Sequence, residues 1–236
     1  MNVLIIAAHP DDDTFGMGGT IFKHTSNGDV VNVAYLATGI AARRSSGYKN
    51  STLYEPSQNE RKKIEKEITI IRHNAKKACH ILKVKSVTFF DLPDNEMDSV
   101  PLLKIIKTVE GLITKFKPER IYTNYYGDLN IDHRTVFNAT LTACRPQNNQ
   151  VKEILCFEVP SSTEWNYPNN FQPNYFVNID KERKKKIQAI KMYMSEIRKF
   201  PHPRSEENIE SLAKHWGSVS GQNSAEAFQI IRMIKK

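Results

Sequence analysis

The chain has 236 residues, of which 39% are hydrophobic and 25% are charged, and its formal net charge is +8. This composition is ordinary for a soluble globular protein, and the length suits a single α/β domain over residues 1–236 rather than two domains. No apolar run approaches the roughly 18 residues that cross a bilayer, and the start carries no basic leader, so we predict a cytoplasmic protein with no integral membrane segment. The three cysteines show no CxxC spacing, and we predict that they are reduced thiols.

Hydrophobic patterning along the chain predicts strands that alternate with helices. The expected strands cover residues 3–8, 30–38, 86–92, 120–124, 151–159 and 174–178, and the expected helices cover residues 14–26, 59–82, 102–116, 132–144, 180–200 and 225–234. Residues 39–58 are polar and predict a surface loop. The alternation is typical of a Rossmann-like α/β fold with a mostly parallel sheet and helices on both faces. Sites in such sheets form beyond the carboxyl ends of the strands.

The first predicted strand runs directly into the turn His9-Pro10-Asp11-Asp12-Asp13. Three consecutive carboxylates repel one another and are costly to desolvate, so a bound cation would stabilise them. Imidazole and carboxylate groups from one turn are suitable zinc ligands. The alternative interpretation is that Asp12 or Asp13 only caps the following helix and complements its dipole.

A second polar motif follows the fourth predicted strand, in the run Asn130-Ile131-Asp132-His133 at the start of a helix. Since the carboxyl ends of parallel strands share one edge of the sheet, His133 can face the same space as His9. Taken alone, His133 is better explained as a surface or capping histidine. Together with the first motif it predicts a site of two histidines and one aspartate, which leaves coordination positions open for water and substrate.

This pair of motifs resembles the PIG-L/LmbE-like N-deacetylase family, whose members act on N-acetylated sugars such as N-acetylglucosaminyl phosphatidylinositol. The resemblance extends over most of the chain, through the Asp91-Leu92-Pro93-Asp94 turn to residues 225–228. It implies Zn²⁺ as the cofactor and the release of acetate from an N-acetylated amino sugar. It also implies roles for single residues: His9, Asp12 and His133 resemble the zinc ligands, Asp11 the general base, and Asp132 a carboxylate that orients the site.

One position departs from the family pattern. Members often carry a histidine three positions before the last ligand, and Asn130 stands there in this chain. The family histidine is assigned to charge stabilisation at the reacting carbonyl. Asn130 can donate a hydrogen bond to an oxyanion but cannot carry a proton, so Asp128, His202 or Arg204 are alternative sources of that function. Asp11 also has an alternative role, as a carboxylate that only orients a metal ligand.

Substrate contacts are predicted from Arg43, Trp165, His202 and Arg204. Arg43 follows the second strand and can donate hydrogen bonds to a sugar hydroxyl or a phosphate. Trp165 offers an aromatic face beside several hydroxyl side chains, and the rigid segment around His202 and Arg204 can close over the site. The alternative for each is structural: a solvated loop residue or, for Trp165, a core aromatic.

The basic charge and the expected location favour a nucleotide-linked or lipid-linked sugar used in cell-surface glycan synthesis. The sequence carries no nucleic-acid-binding signature, so nucleic acid is not an expected partner. Two other functions stay open: a noncatalytic metal- or nucleotide-binding protein, and a zinc amidohydrolase acting on a non-sugar amide. The sequence leaves open the oligomeric state, the exact substrate, and the choice between zinc and iron(II).

Overall fold

The computed structural model describes residues 1–40, 57–146, 151–168 and 171–235. The strands are β1 (Asn2–Ala7), β2 (Val30–Ala37), β3 (Ser86–Leu92), β4 (Arg120–Asn124), β5 (Glu153–Phe157), β6 (Tyr175–Asn178) and β7 (Ala225–Met233). The helices are α1 (Asp12–Ser26), α2 (Gln58–Ile81), α3 (Leu102–Phe116), α4 (Ile131–Ala143), α5 (Arg183–Ile190) and α6 (Glu206–Ser220). Residues 41–56, most of the predicted loop, lie outside the described residues.

The described strands form one sheet with the order β3-β2-β1-β4-β5-β7-β6. The first five of these run parallel, and β7 pairs antiparallel with both β5 and β6. β1 lies between β2 and β4, so the chain order changes direction at the β1–β4 boundary. The predicted Rossmann-like, mostly parallel sheet is therefore confirmed, and β1–β4 is the position where such sheets place their sites.

β1 is buried on both faces, which explains why its sequence is continuously apolar. Val3 and Ile5 belong to one core, together with residues of α1, α2, α5 and α6. Leu4 and Ile6 belong to a second core, together with residues of α3 and α4. Because successive side chains of a strand point to opposite faces, helices cover both faces of the sheet, as predicted.

The segment predicted as the last helix, residues 225–234, is instead the strand β7. Phe228 pairs with Phe157 of β5 on one side and with Tyr175 of β6 on the other. The alanines and glutamate of this segment favour a helix by only a fraction of a kcal/mol each. Backbone pairing with two neighbouring strands and the burial of Phe228 outweigh that preference.

The helix predicted over residues 180–200 is also shorter than expected. It ends at Ile190 and passes into a 3₁₀ turn at Lys191–Tyr193. After this 3₁₀ turn, the backbone N–H groups of Glu196 and Ile197 donate to the carbonyl of Tyr193, at 2.8 Å and 3.3 Å. This turn buries Glu196 instead of leaving it on a helix surface.

Sequence reasoning missed the helix α6, although its signals were present. The Ser205 hydroxyl accepts the backbone N–H of Asn208 at 3.1 Å and caps the first turn. Gly221, with φ of 71°, ends the helix in the left-handed conformation. Ile209 and Ala213 give the four-residue apolar spacing of a helix face.

The remaining predicted elements lie within two residues of the observed ones at each end. Among the described residues, no helix is both long enough and apolar enough to cross a membrane.

Candidate metal centre and active site

The turn after β1 places His9 and Asp12 at the carboxyl edge of the sheet. The His9 carbonyl accepts the backbone N–H groups of Asp11 at 3.0 Å and Asp12 at 3.3 Å. The His9 N–H donates to Asp12 Oδ2 at 2.9 Å. Asn124, the last residue of β4, donates Nδ2 to the same oxygen at 3.0 Å and accepts the Ala8 N–H at 2.9 Å. Asn124 therefore ties the turn to the neighbouring strand.

Three side-chain atoms that could bind a metal ion, supplied from the ends of two strands, lie together beside this turn. Nε2 of His133, in the first turn of α4, lies 3.3 Å from His9 Nδ1 and 3.3 Å from Asp12 Oδ2. His9 Nδ1 lies 3.8 Å from the same Asp12 oxygen. A tetrahedral zinc ion with bonds of about 2.0–2.1 Å separates its ligands by about 3.3–3.4 Å. The three ligand atoms, which the sequence predicts as metal ligands, are therefore close enough together to hold one metal ion.

The other oxygen of Asp12 supports this fit. Asp12 Oδ1 is buried and has no hydrogen-bond partner among the described residues. Buried carboxylate oxygens are normally satisfied by a donor, an ion or water. An unpaired oxygen on a carboxylate that lies beside two histidines is an arrangement that a cation would complete.

Two carboxylates hold the far side of the His9 ring. Nε2 lies 3.1 Å from Asp132 Oδ2 and 3.1 Å from Asp94 Oδ1. These three groups are also close enough to gather a cation, but both Asp132 oxygens already accept backbone N–H groups, from Asn95 at 2.6 Å and Met97 at 3.1 Å. A proton on Nε2, held by these carboxylates, directs the Nδ1 lone pair toward the three-donor site.

Asp128 holds the ring of His133 in a similar way. Asp128 Oδ2 lies 3.2 Å from His133 Nδ1 and accepts the Thr163 hydroxyl at 2.7 Å. Asp128 Oδ1 accepts the Asn130 N–H at 2.8 Å and the Ser162 hydroxyl. Both His9 and His133 are thus backed by buried carboxylates, which is the usual way in which proteins orient metal-binding imidazoles.

The electrostatics of the site favour positive charge. Burial lowers the pKa of His133, but the charges of Asp12 and Asp128 outweigh burial and raise it to about 9. Burial likewise lowers the pKa of His9, but its carboxylate partners raise the pKa well above its ordinary value. For Asp12, burial raises the pKa and the two histidines lower it below its ordinary range. A divalent cation would replace the imidazole protons and release them on binding.

A cavity of about 170 Å³ opens beside these donors. Its lining includes His9, Asp11, Asp94, Asn130, His133 and Arg204. Asn130 caps α4, because its Oδ1 accepts the Asp132 N–H at 2.8 Å. Its Nδ2 donates to Asn95 Oδ1 at 2.8 Å. Asn130 is therefore a rigidly held amide at the wall of the cavity.

The structure gathers most of the predicted site residues and separates a few others. His9, Asp11, Asp12, Asn130, Asp132, His133 and Arg204 all lie at or next to the cavity. Trp165 is 45% exposed, and its ring meets the edge of the His202 ring with 5.7 Å between centroids. Neither of these two is among the described residues that line the cavity. Arg43 lies outside the described residues.

Three residues of the site were not assigned from sequence. In the sequence, Asp94 stands out only as part of a turn, and Asp128 only as an alternative source of the function of the missing family histidine. Both follow parallel strands, so the rule that polar residues cluster at those strand ends identifies them. Glu196 pairs with Arg204 at 3.3 Å and carries no local signal.

A family model described as PIG-L: GlcNAc-PI de-N-acetylase matches residues 4–144. A diacetylchitobiose deacetylase of Thermococcus kodakarensis is 27% identical over 240 residues, covering 97% of this chain and 82% of the relative.

Two solved structures share the fold. The N,N'-diacetylchitobiose deacetylase from Pyrococcus horikoshii superposes with a TM-score of 0.71 at 21% identity, covering 98% of this chain and 83% of that one. The 4-carboxy-2-hydroxymuconate hydratase from Pseudomonas putida superposes with a TM-score of 0.75 at 21% identity, covering 100% and 99%. At these identities the likeness concerns the fold alone.

Proposed function

Because this chain belongs to the PIG-L family of GlcNAc-PI de-N-acetylases, we propose that it is a zinc-dependent hydrolase that removes the acetyl group from the nitrogen of an N-acetylated amino sugar. The family match confirms the prediction of an N-deacetylase. The fold by itself does not select this reaction, since one structural neighbour is a deacetylase and another is a hydratase.

The observation that carries the proposal is the meeting of His9, Asp12 and His133 beside Asp11 in one polar cavity. Two histidines and one carboxylate are a ligand set that holds a catalytic zinc ion and leaves coordination positions open. A zinc ion held there would polarise the acetyl carbonyl and lower the pKa of a coordinated water. The three donor separations and the unpaired Asp12 oxygen support this ligand set.

Asp11 is the proposed general base. It lines the cavity, is only 3% exposed, and adjoins Asp12 in the chain. A carboxylate in this position accepts a proton from the attacking water and returns it to the leaving amine. The alternative role, orientation of His9, is already filled by Asp94 and Asp132 at 3.1 Å.

Asn130 is the proposed donor toward the developing oxyanion. Its amide nitrogen has two N–H groups, and one of them donates to Asn95. The side chain lines the cavity and its orientation is held by the capping bond to Asp132. A donor that is already oriented stabilises transition-state charge without reorganising during the reaction.

The cavity suits the reacting ring of a sugar. Its lining includes the hydroxyl-bearing Thr38, Ser161 and Ser162, which can pair with sugar hydroxyls. At about 170 Å³ it is smaller than the roughly 300–1,000 Å³ that encloses a drug-sized ligand, so a second ring would lie outside it. The half-exposed Trp165 is the proposed stacking surface there.

The test is acetate release by the zinc-loaded chain from N-acetylglucosamine, N,N'-diacetylchitobiose and nucleotide-linked N-acetylglucosamine. Release should stop on chelation and return with added zinc. If the chain released acetate only from non-sugar acetamides, its substrate would be another amide rather than an N-acetylated sugar. Zinc binding with no acetate release from any of these compounds would overturn the proposal, and water addition to an unsaturated dicarboxylate would then identify a hydratase.

A further inference from the structure

Arg204 lies beside the proposed general base Asp11, and the proposed mechanism gives it no role. It comes from the segment between α5 and α6, 193 positions from Asp11 in the chain, and its Nη1 donates to Asp11 Oδ2 at 2.8 Å. Its Nε donates to the Pro160 carbonyl at 3.2 Å, and its guanidinium carbon lies 5.1 Å from the centre of the Phe15 ring. The guanidinium is therefore held from three directions beside the proposed base.

Glu196 completes this arrangement. Its Oε2 lies 3.3 Å from the same Nη1 that contacts Asp11, and its side chain is 3% exposed. The Ser195 hydroxyl donates to its other oxygen at 3.1 Å. The unit thus contains one guanidinium between two buried carboxylates, and removing the guanidinium would leave the two carboxylates without the positive charge between them.

Asp11 has a backbone that needs such support. It adopts φ of 153° and ψ of −25°, a conformation that residues with a Cβ rarely adopt. Unusual backbone conformations persist where surrounding contacts over-determine them. The Asp11 carbonyl accepts the Phe15 N–H at 2.9 Å, so main chain and side chain are both restrained.

We propose that Arg204, held in place by Glu196, is a positioning residue that fixes the orientation of the Asp11 carboxylate toward the reacting water. This inference rests on the proposed function. Arg204 lines the cavity, and its Nη1 and Nε groups donate to Asp11, Glu196 and Pro160. A planar guanidinium that bridges fixed acceptors defines their geometry as an ammonium cannot. Its role is therefore to act through Asp11 rather than to bind the sugar.

The experiment compares Arg204→Lys and Arg204→Ala with the unchanged chain in the acetate-release assay. We expect kcat to fall by about 100-fold, the effect of misplacing a catalytic group by about 1 Å, while KM and zinc content stay unchanged. Guanidinium ion at millimolar concentration should restore part of kcat in Arg204→Ala, whereas sodium chloride should not. Glu196→Gln, which keeps the shape and loses the charge, should lower kcat by a smaller factor without changing KM.

Arg120→Lys is the matched control. Arg120 is a buried arginine paired with Glu153, and it lies at the amino end of β4, away from the site. This variant should lose stability and keep kcat. The comparison distinguishes the general effect of losing a guanidinium from the specific effect of losing the one beside Asp11.

The outcomes separate the positioning role from the proposed function. A raised KM with kcat unchanged would show that Arg204 binds substrate, and would overturn the inference while leaving the deacetylase proposal intact. Full activity of Arg204→Lys, or no response of Arg204→Ala to guanidinium, would also overturn it. If the unchanged zinc-loaded chain releases no acetate, the proposed function itself is wrong and the inference falls with it.

Discussion

Replacement of Asp128 by asparagine tests whether the carboxylate behind His133 controls metal affinity. Asp128 is completely buried and lies 3.2 Å from His133 Nδ1. It also accepts the Asn130 N–H and the hydroxyls of Ser162 and Thr163. Asparagine keeps the shape, but its NH₂ group must face one of the two pairs of donors that the carboxylate oxygens now accept.

The expected magnitude follows from these contacts. Loss of the partner behind a metal-binding histidine typically weakens metal binding by about 10–100-fold, or about 1.4–2.7 kcal/mol. A buried donor left unpaired costs a further ~1–3 kcal/mol of stability in the metal-free protein. Asp128→Asn should therefore weaken zinc binding and destabilise the metal-free chain together.

Zinc affinity is measured by competition with a chromophoric chelator, and stability by urea unfolding of the metal-free chain. Asp180→Asn is the matched control, because Asp180 also accepts side-chain donors, from Ser224 and Asn223, but is exposed and remote in sequence from the ligands. The control should keep its zinc affinity. If Asp128→Asn bound zinc as tightly as the unchanged chain, the assignment of Asp128 as the orienting partner of His133 would be refuted.

Four further substitutions test the proposed site and one buried carboxyl group outside it. Asp11→Ala should retain zinc and lose acetate release, whereas His133→Ala should lose both, because His133 is a proposed metal ligand and Asp11 is not. Metal content and turnover measured on the same samples distinguish the two variants. Full turnover of Asp11→Ala would exclude Asp11 as the general base. Asn130→His should keep or raise kcat, because imidazole can carry a proton, while loss of the α4 cap lowers stability by about 1 kcal/mol; a lower kcat would show that the amide itself is required. Burial raises the pKa of Glu158 from 4.5 to about 7, although the hydrogen bond from Trp216 partly opposes this. The native state then holds this proton longer than the unfolded state, so stability falls by at most about 3 kcal/mol as the pH rises through this interval. In urea unfolding at pH 5 and pH 8, the advantage of Glu158→Gln over the unchanged chain should grow with pH, and an equal advantage at both would contradict the raised pKa.

The turn after β1 was predictable because its signals are local. Continuous apolar residues define a buried strand, and His9-Pro10 followed by three aspartates places polar groups at its end. His133 required one further step, the rule that parallel strands deliver their carboxyl ends to a common edge. That rule is general enough for the pairing of His9, Asp12 and His133 to be expected before any distance was known.

The last strand shows where local sequence stops being sufficient. Residues 225–233 have a composition compatible with a helix, yet β5 and β6 offer backbone partners on both sides. Strand formation depends on hydrogen bonds to residues far away in the chain, and no local pattern encodes them. The reverse holds for α6, whose cap at Ser205 and end at Gly221 are local and readable.

By itself, the sequence determined the α/β fold, the polar turn after β1 and the side chains proposed as metal ligands, because each follows from local patterning or from one rule of sheet topology. The tertiary structure alone decided which carboxylate backs which histidine, and that Arg204 and Glu196 reach Asp11. Contacts over such distances in the chain depend on how whole elements pack against one another. A buried charge is costly to leave unpaired, and Asp11, His9 and His133 meet their charged partners only when distant parts of the chain pack together.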